Sequence, residues 1–299
     1  MKIIFHLFLL LVVSTTAIGQ NQKLLILGIA QDAGYPQIAC SKPCCQKVEK
    51  PESPVSLAII DTDGYLLFEA TPDVGKQIKM VNDRLGNSIQ ELPKAIFITH
   101  AHIGHYLGLS QFGREALGGV NQPVYTMPRF KSFLESNAPW NQLVNLNNIS
   151  PIEMQKNEIV EVGQTKVLPI QVPHRDELSE TVGFIINGNS KRVLFIPDID
   201  KWEKWNVNID SLIHEVDYAL LDGTFYQNGE IKGRNMSEIP HPFVSESMKR
   251  FSALNEIDKA KIHFIHFNHT NPILWNDEVK SAVKLQGFNI AETGMEFDL

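Results

Sequence analysis

Cysteine is scarce: the 299 residues hold three, Cys40, Cys44 and Cys45, all within six positions. A disulfide-stapled exported fold shows an even number spread along the chain, and a bridge between neighbours 44 and 45 would be strained. A disulfide framework is therefore excluded. Three clustered thiols read instead as three metal ligands in want of a fourth. No basic tract is present and the formal net charge is −7, which leaves a nucleic-acid groove or an anionic membrane surface without electrostatic support. An acidic chain still takes an anionic substrate when a cation supplies positive charge locally. Internal repeats, low-complexity segments and clear linkers are missing too. With 43% hydrophobic and 20% charged residues, the composition excludes disorder, collagen and coiled coil.

The one long apolar run opens the chain. Residues 1–20 carry one Lys, an apolar stretch from Ile3 to Val13, and small polar residues from Ser14 to Gly19. This is the three-part pattern of a secretory signal, expected to be cleaved after Gly19 to leave 20–299 as a single domain. The apolar stretch is about half the roughly 20 residues of a membrane span, and no Cys lies near the cleavage site. The expectation is an exported protein, periplasmic or secreted, with no stable membrane anchor.

In the remaining chain, apolar runs bounded by turn residues predict strands over Lys23–Gly28, Val55–Asp61, Tyr65–Glu69, Lys94–Thr99, Pro123–Thr126, Thr165–Val172, Thr181–Ile186, Arg192–Ile196, Tyr218–Leu221 and Ile262–Phe267. Helical spacing predicts helices over Pro72–Leu85, Ile209–Val216, Pro242–Leu254 and Asp277–Leu285. Helices mixed with hairpin-joined strands imply a layered α and β architecture with mixed sheets.

The most informative stretch is Thr99-His100-Ala101-His102-Ile103-Gly104-His105, just past an apolar strand. A lone His is more often a satisfied structural residue. Three imidazoles within six residues are hard to explain as core or as solvated surface, and neutral imidazole is the commonest metal ligand. His214 in a predicted helix and His263 inside a strand read as structural.

That stretch resembles the H-x-H-x-D-H motif of the metallo-β-lactamase fold superfamily, and the resemblance extends over almost the whole chain after the leader. Pro173-His174-Arg175, Phe195-Ile196-Pro197-Asp198 and Ile265-His266 each follow a strand, where that family places a histidine, a bridging aspartate and a last histidine. Leu27-Gly28-Ile29-Ala30-Gln31-Asp32-Ala33-Gly34-Tyr35-Pro36-Gln37 and Thr270-Asn271-Pro272-Ile273-Leu274 resemble the opening and closing segments of the B-protein group of pyrroloquinoline quinone (PQQ) biosynthesis. The resemblance implies a four-layer αββα sandwich with two mixed β-sheets. It implies metal ligands His100, His102, His105, His174, Asp198 and His266. A related phosphodiesterase branch implies a structural zinc on Cys40, Cys44, Cys45 and His269, with His241 as a rival fourth ligand or a substrate-side residue.

The sequence departs from the motif at Gly104, where the family has an aspartate. One site then retains His100, His102, His174 and Asp198, and the other His105, Asp198 and His266. A lost anionic ligand reduces charge compensation for a dication, so either two metals or one tightly held metal is consistent with the ligands. The leading expectation is a zinc-dependent hydrolase acting on an ester-type bond of a small molecule, first of all a phosphodiester. Asp198 and His266 stand at its reaction centre, and Asp222 and His241 orient ligands or substrate. The alternatives are an iron-dependent oxygenase and a non-catalytic metal-binding module; oligomeric state is left open.

Overall fold

A computed structural model of the protein describes residues 22–46 and 48–299, so the expected leader over 1–19 lies outside the described residues. Alternation of apolar residues in the first strands sorts them onto two faces. In β1 (Lys23–Gly28), Leu24 and Ile26 face one core while Leu25 and Leu27 face another. The same period of two divides Leu57 and Ile59 from Ala58 in β2 (Ser56–Asp61), and Leu66 and Phe68 from Tyr65 and Leu67 in β3 (Gly64–Phe68). A strand's side chains point alternately to its two faces, so a sheet built this way must be covered on both.

The remaining strands are β4 (Ala95–Phe97), β5 (Gln122–Thr126), β6 (Ile149–Glu153), β7 (Val160–Val162), β8 (Thr165–Gln171), β9 (Val182–Asn187), β10 (Arg192–Ile196), β11 (Tyr218–Asp222), β12 (Ile262–Ile265), β13 (Asn289–Ile290) and β14 (Glu296–Asp298). They form two seven-stranded sheets, in the orders β14-β1-β2-β3-β4-β5-β6 and β13-β12-β11-β10-β9-β8-β7. Both are mixed: β3 to β6 run parallel, as do β10 to β13, while β1, β2 and β14 and the β7–β8–β9 meander are antiparallel.

The sheets face each other across a shared core. Phe97 of β4 stacks on Phe68 at 5.1 Å between centroids and meets Phe184 of the opposite sheet edge-on at 6.0 Å. Outside the first sheet, Val74 and Val81 of helix Val74–Leu85 and Phe130 and Leu134 of helix Pro128–Ser136 cover the other face. Outside the second, helices Ile209–Glu215, Val244–Arg250 and Asp277–Leu285 bury Ile213, Met248 and Val283. The result is the four-layer αββα sandwich. Among the described residues, no helix is long and apolar enough to cross a membrane. Trp140 and Trp202 are buried packing residues, the latter donating from Nε1 to Ser247 Oγ at 2.9 Å.

Candidate metal centre

The parallel strands bring the candidate residues together because their carboxyl ends lie side by side. Asp198 follows β10, Asp222 ends β11 and His266 follows β12, three neighbouring parallel strands in register at Ile196↔Leu221 and Asp222↔Ile265. His174 follows β8, which runs in the same direction as β10 because both are antiparallel to β9. From the other sheet, β4 leads into Thr99 and His100. His102 then caps the one-turn helix Ile103–Tyr106, whose first hydrogen bond runs from His105 N to His102 O at 3.0 Å.

Asp198 Oδ2 stands at the meeting point, 2.9 Å from His105 Nε2, 3.4 Å from His266 Nε2 and 3.6 Å from His100 Nε2. None of these contacts has hydrogen-bond alignment: Asp198 Oδ2 and the Nε2 atoms of His100, His105, His174 and His266 are buried without a partner. Buried polar atoms left unpaired are costly, and so many aimed at one volume fit a cation held between them. Ligand atoms within 4.8 Å of one another group as His100, His102 and His174; as His100, His105 and Asp198; as Asp32, His105 and His266; and as His174, Asp198 and His241.

Oxygens stand behind four of the imidazoles, within hydrogen-bond geometry for His100 and His266 and as charged neighbours for His105 and His174. His100 Nδ1 lies 2.9 Å from Thr99 Oγ1, His105 Nδ1 3.5 Å from Glu69 Oε1, and His174 Nδ1 3.4 Å from Asp200 Oδ1. His266 is fixed through Thr224. The Thr224 hydroxyl gives its one proton to Asp222 Oδ1 at 2.7 Å, because a carboxylate only accepts. It must therefore accept from His266 Nδ1–H at 2.9 Å, which leaves the Nε2 lone pair free to ligate. Replacing Thr224 by Val is expected to weaken metal binding roughly 10–100-fold, as for other groups that orient a ligand. Competition against a chromogenic chelator measures this, and unchanged affinity would contradict the role given to Thr224.

Strain and charge concentrate in the same place. Glu69 and His266 both have left-handed backbones, at φ 71° and 66°, a conformation that non-glycine residues hold only where the surroundings enforce it. Burial pushes His100 and His174 down and takes His102 to about 4, so these three imidazoles are neutral and ligand-ready at pH 7. Burial also opposes charge on His105, but Glu69, Asp198 and Asp32 outweigh it and hold that ring well above its usual value. For Asp32 and Asp198 burial is again overcome, here by the neighbouring histidines, and both carboxyls lie well below the usual carboxylate range.

Asp222 is fully engaged. It accepts from Thr224 N at 2.9 Å, Thr224 Oγ1, Ile199 N at 3.1 Å, and His241 Nδ1 at 2.7 Å. His241 Nδ1 is also 3.4 Å from Asp198 Oδ1, so His241 belongs to this site and not to the thiol cluster. Burial works against its charge, but Asp222 pushes it up to about 9.

The profile of the β-lactamase superfamily domain matches residues 65–267. The chain belongs to the β-lactamase superfamily. Within that superfamily it is PqqB-like. Coenzyme PQQ synthesis protein B of Methylobacillus flagellatus is 26% identical over 308 residues, covering 92% of this chain and 99% of that protein. The protein of the same name from Rhizobium meliloti is 23% identical over 303 residues, covering 93% and 98%. Among solved structures, zinc-bound PqqB from Methylobacterium extorquens superposes with a TM-score of 0.77 at 22% identity, over 93% of this chain and 100% of that one. A diphosphatase of the PhnP family superposes at 0.66 and 18% identity, over 94% and 98%. At these identities the structural likeness establishes the shared superfamily fold.

At two places the geometry adds to or differs from the expected ligand sets. The superfamily resemblance at Gly104 implies a second ligand set with no carboxylate beyond Asp198, yet Asp32 Oδ1 stands 3.3 Å from His105 Nε2 and 3.8 Å from His266 Nε2. Asp32 lies inside the opening segment 27–37, and an acidic residue just ahead of Ala33-Gly34 was the signal available. The thiols of Cys40, Cys44 and Cys45 are free and mutually within 4.8 Å, but His269 is not among the ligand atoms gathered there. Lys42, in the thiol loop, instead joins burial in lowering the His269 pKa. Burial and the neighbouring thiols raise Cys45 to about 12, and a bound cation would displace protons held this way. His214 pairs with Asp258 at 3.1 Å on the surface and His263 is buried against the backbone of Lys261, both away from the centre.

Proposed function

We propose that the protein is a metal-dependent hydrolase, exported after loss of residues 1–19, that cleaves an ester-type bond in a small molecule, with phosphodiesters the first class to test. The observation that carries this reading is the Asp198 carboxylate, buried and without a hydrogen bond, facing the Nε2 atoms of His100, His105 and His266. His100, His102, His174 and Asp198 would hold one ion, and His105, Asp198 and His266 take part in a second set. Bound there, a zinc-like ion would supply water acidified toward a pKa of about 7 and positive charge for the ester oxygen.

The chain's own residues do the rest. Asp198 orients the attacking water from between the two ligand sets. His241, held through Nδ1 by Asp222 and 3.4 Å from Asp198, orients the substrate beside the two ligand sets. The opening lies beside His102 and Asp32, whose side chains are 20% and 37% exposed while the other ligands are closed off. Exposed Arg175 raises the positive potential around His102 and suits an anionic substrate at that mouth. Cys40, Cys44 and Cys45 would hold a separate structural zinc, closing the loop that Tyr35 also ties down through Cys44 O at 2.7 Å.

Treatment with a chelator followed by dialysis is expected to remove hydrolysis of bis(p-nitrophenyl) phosphate, and zinc or manganese to restore it. Turnover indifferent to chelation would contradict the proposal. A second reading, oxidation at iron, is favoured by one set, His100, His105 and Asp198, which pairs two imidazoles with a carboxylate. Oxygen uptake by the iron-loaded protein, with no diester hydrolysis, would select it.

A further inference from the structure

Position 104 is a glycine for a steric reason. A Cβ there would fall 2.3 Å from Asp32 Cα, 2.5 Å from its Cβ and 2.6 Å from its Oδ1. No real Cβ tolerates such distances, so a side chain at 104 and the Asp32 carboxylate compete for one volume. The chain fills that volume from the loop after β1.

That loop is built to hold the carboxylate in place. Gly34 N–H donates to Gln31 O at 2.8 Å, closing a turn with Asp32 and Ala33 at its tip. Gln31 N donates to Phe267 O and Phe267 N to Ile29 O, each at 2.8 Å, and Asn268 Nδ2 donates to Gln31 Oε1 at 2.5 Å. The turn is thus laced to the residues immediately after His266, and Asp32 and His266 keep a fixed relation. Upstream, Ala30 bridges both Pro54 and Phe267.

We propose that Asp32 is a metal ligand that takes the place a residue-104 carboxylate would occupy, so that Asp32, His105, Asp198 and His266 form a complete second divalent-cation site. This rests on the metal-centre reading above and deepens it. The nitrogen atoms facing Asp32 Oδ1 are the buried, unpartnered Nε2 atoms of His105 and His266, which also face Asp198 Oδ2. Two carboxylates and two imidazoles compensate a dication's charge where one carboxylate would leave it under-compensated. Asp32 is also the more exposed of the two carboxylates, 37% against 3%, and stands on the side of the opening.

The test is metal stoichiometry and affinity of the full-length protein, by elemental analysis after dialysis against metal buffers and by competition titration. Asp32→Asn keeps the shape and removes the charge. It is expected to lose one equivalent relative to the unmodified protein, or to bind it more weakly than the roughly 10–100-fold typical of a lost orienting group. The metal-free protein should still unfold cooperatively, at a melting temperature lowered by the lost Asp32–His105 charge pairing. Gly104→Asp alone is expected to lose the same equivalent, because the two residues collide, and Asp32→Gly/Gly104→Asp to regain it by supplying the carboxylate from the other side. Asp32→Asn retaining every equivalent at unmodified affinity overturns the inference and leaves the first ligand set standing. Metal absent from the histidines of the unmodified protein overturns both together.

Discussion

Asp198→Asn is expected to lower the turnover of a phosphodiester by on the order of 10³-fold, the loss seen when one preorganised charge is removed from a reaction centre. The carboxylate serves both ligand sets, with Oδ2 within 3.6 Å of three imidazole nitrogens and Oδ1 3.4 Å from His241 Nδ1. An amide retains the shape but supplies no negative charge, so the ion bound between the sets should be lost with the activity. The metal-free variant should lose some stability at neutral pH, because the neighbouring histidines outweigh burial and favour the ionised Asp198 carboxylate in the fold. Activity, metal content and the melting temperature of the stripped protein separate these effects. A variant that keeps its metal and its turnover would remove Asp198 from the centre.

The largest effect on stability is expected at Gly28. Its Cβ would lie 2.1 Å from Pro54 O and 2.7 Å from Ser53 O, both backbone atoms of the crossing strand entry, which cannot swing aside. β1 and β2 are irregular in register between Ile26 and Gly28, and past that point Ile29 N and Ala30 N both donate to Ser53 O at 3.1 and 3.0 Å. Gly28→Ala must push these segments apart, at a cost of about 3 kcal/mol, the upper end for overpacking. For a domain of this size that lowers the melting midpoint by roughly 6–12 °C, read on metal-free protein. The displaced loop carries Asp32, so binding of the second ion should weaken with it. An unchanged midpoint would mean that the two backbones separate without cost.

Much of this was legible because it depended on periodicity and on residue type. Period-two alternation and turn residues marked the strands that bear His100, His174, Asp198 and His266, and the clustering of imidazoles marked the centre. Strands β7, β13 and β14 escaped because they are two or three residues long, and β6 because Pro151 interrupts its Ile-Ser-Pro-Ile-Glu sequence. Helices Trp140–Asn145 and Glu256–Lys261 are short and Pro128–Ser136 buries only Phe130 and Leu134, so tertiary packing outweighs weak local signals. Asp32 was hidden for a different reason. It is 73 positions from His105 in sequence and meets it only because the loop after β1 is tied to the residues following His266. Sequence can reveal that Gly104 removes a carboxylate; only the packing of that loop reveals where another comes from. Thr224, which orients His266, and the carboxylates Glu69 and Asp200 beside His105 and His174 were hidden in the same way, each placed by the sheets and not by a local motif.

The proposed centre holds two ions on histidines and aspartates, beside a separate zinc on the thiols. Elemental analysis of the purified full-length protein, alone and as Cys40→Ser/Cys44→Ser/Cys45→Ser, tests it most directly. The expected result is about three equivalents per chain, falling to about two when the thiols are removed. A single equivalent that disappears with the thiols would leave the histidines without metal and contradict the account.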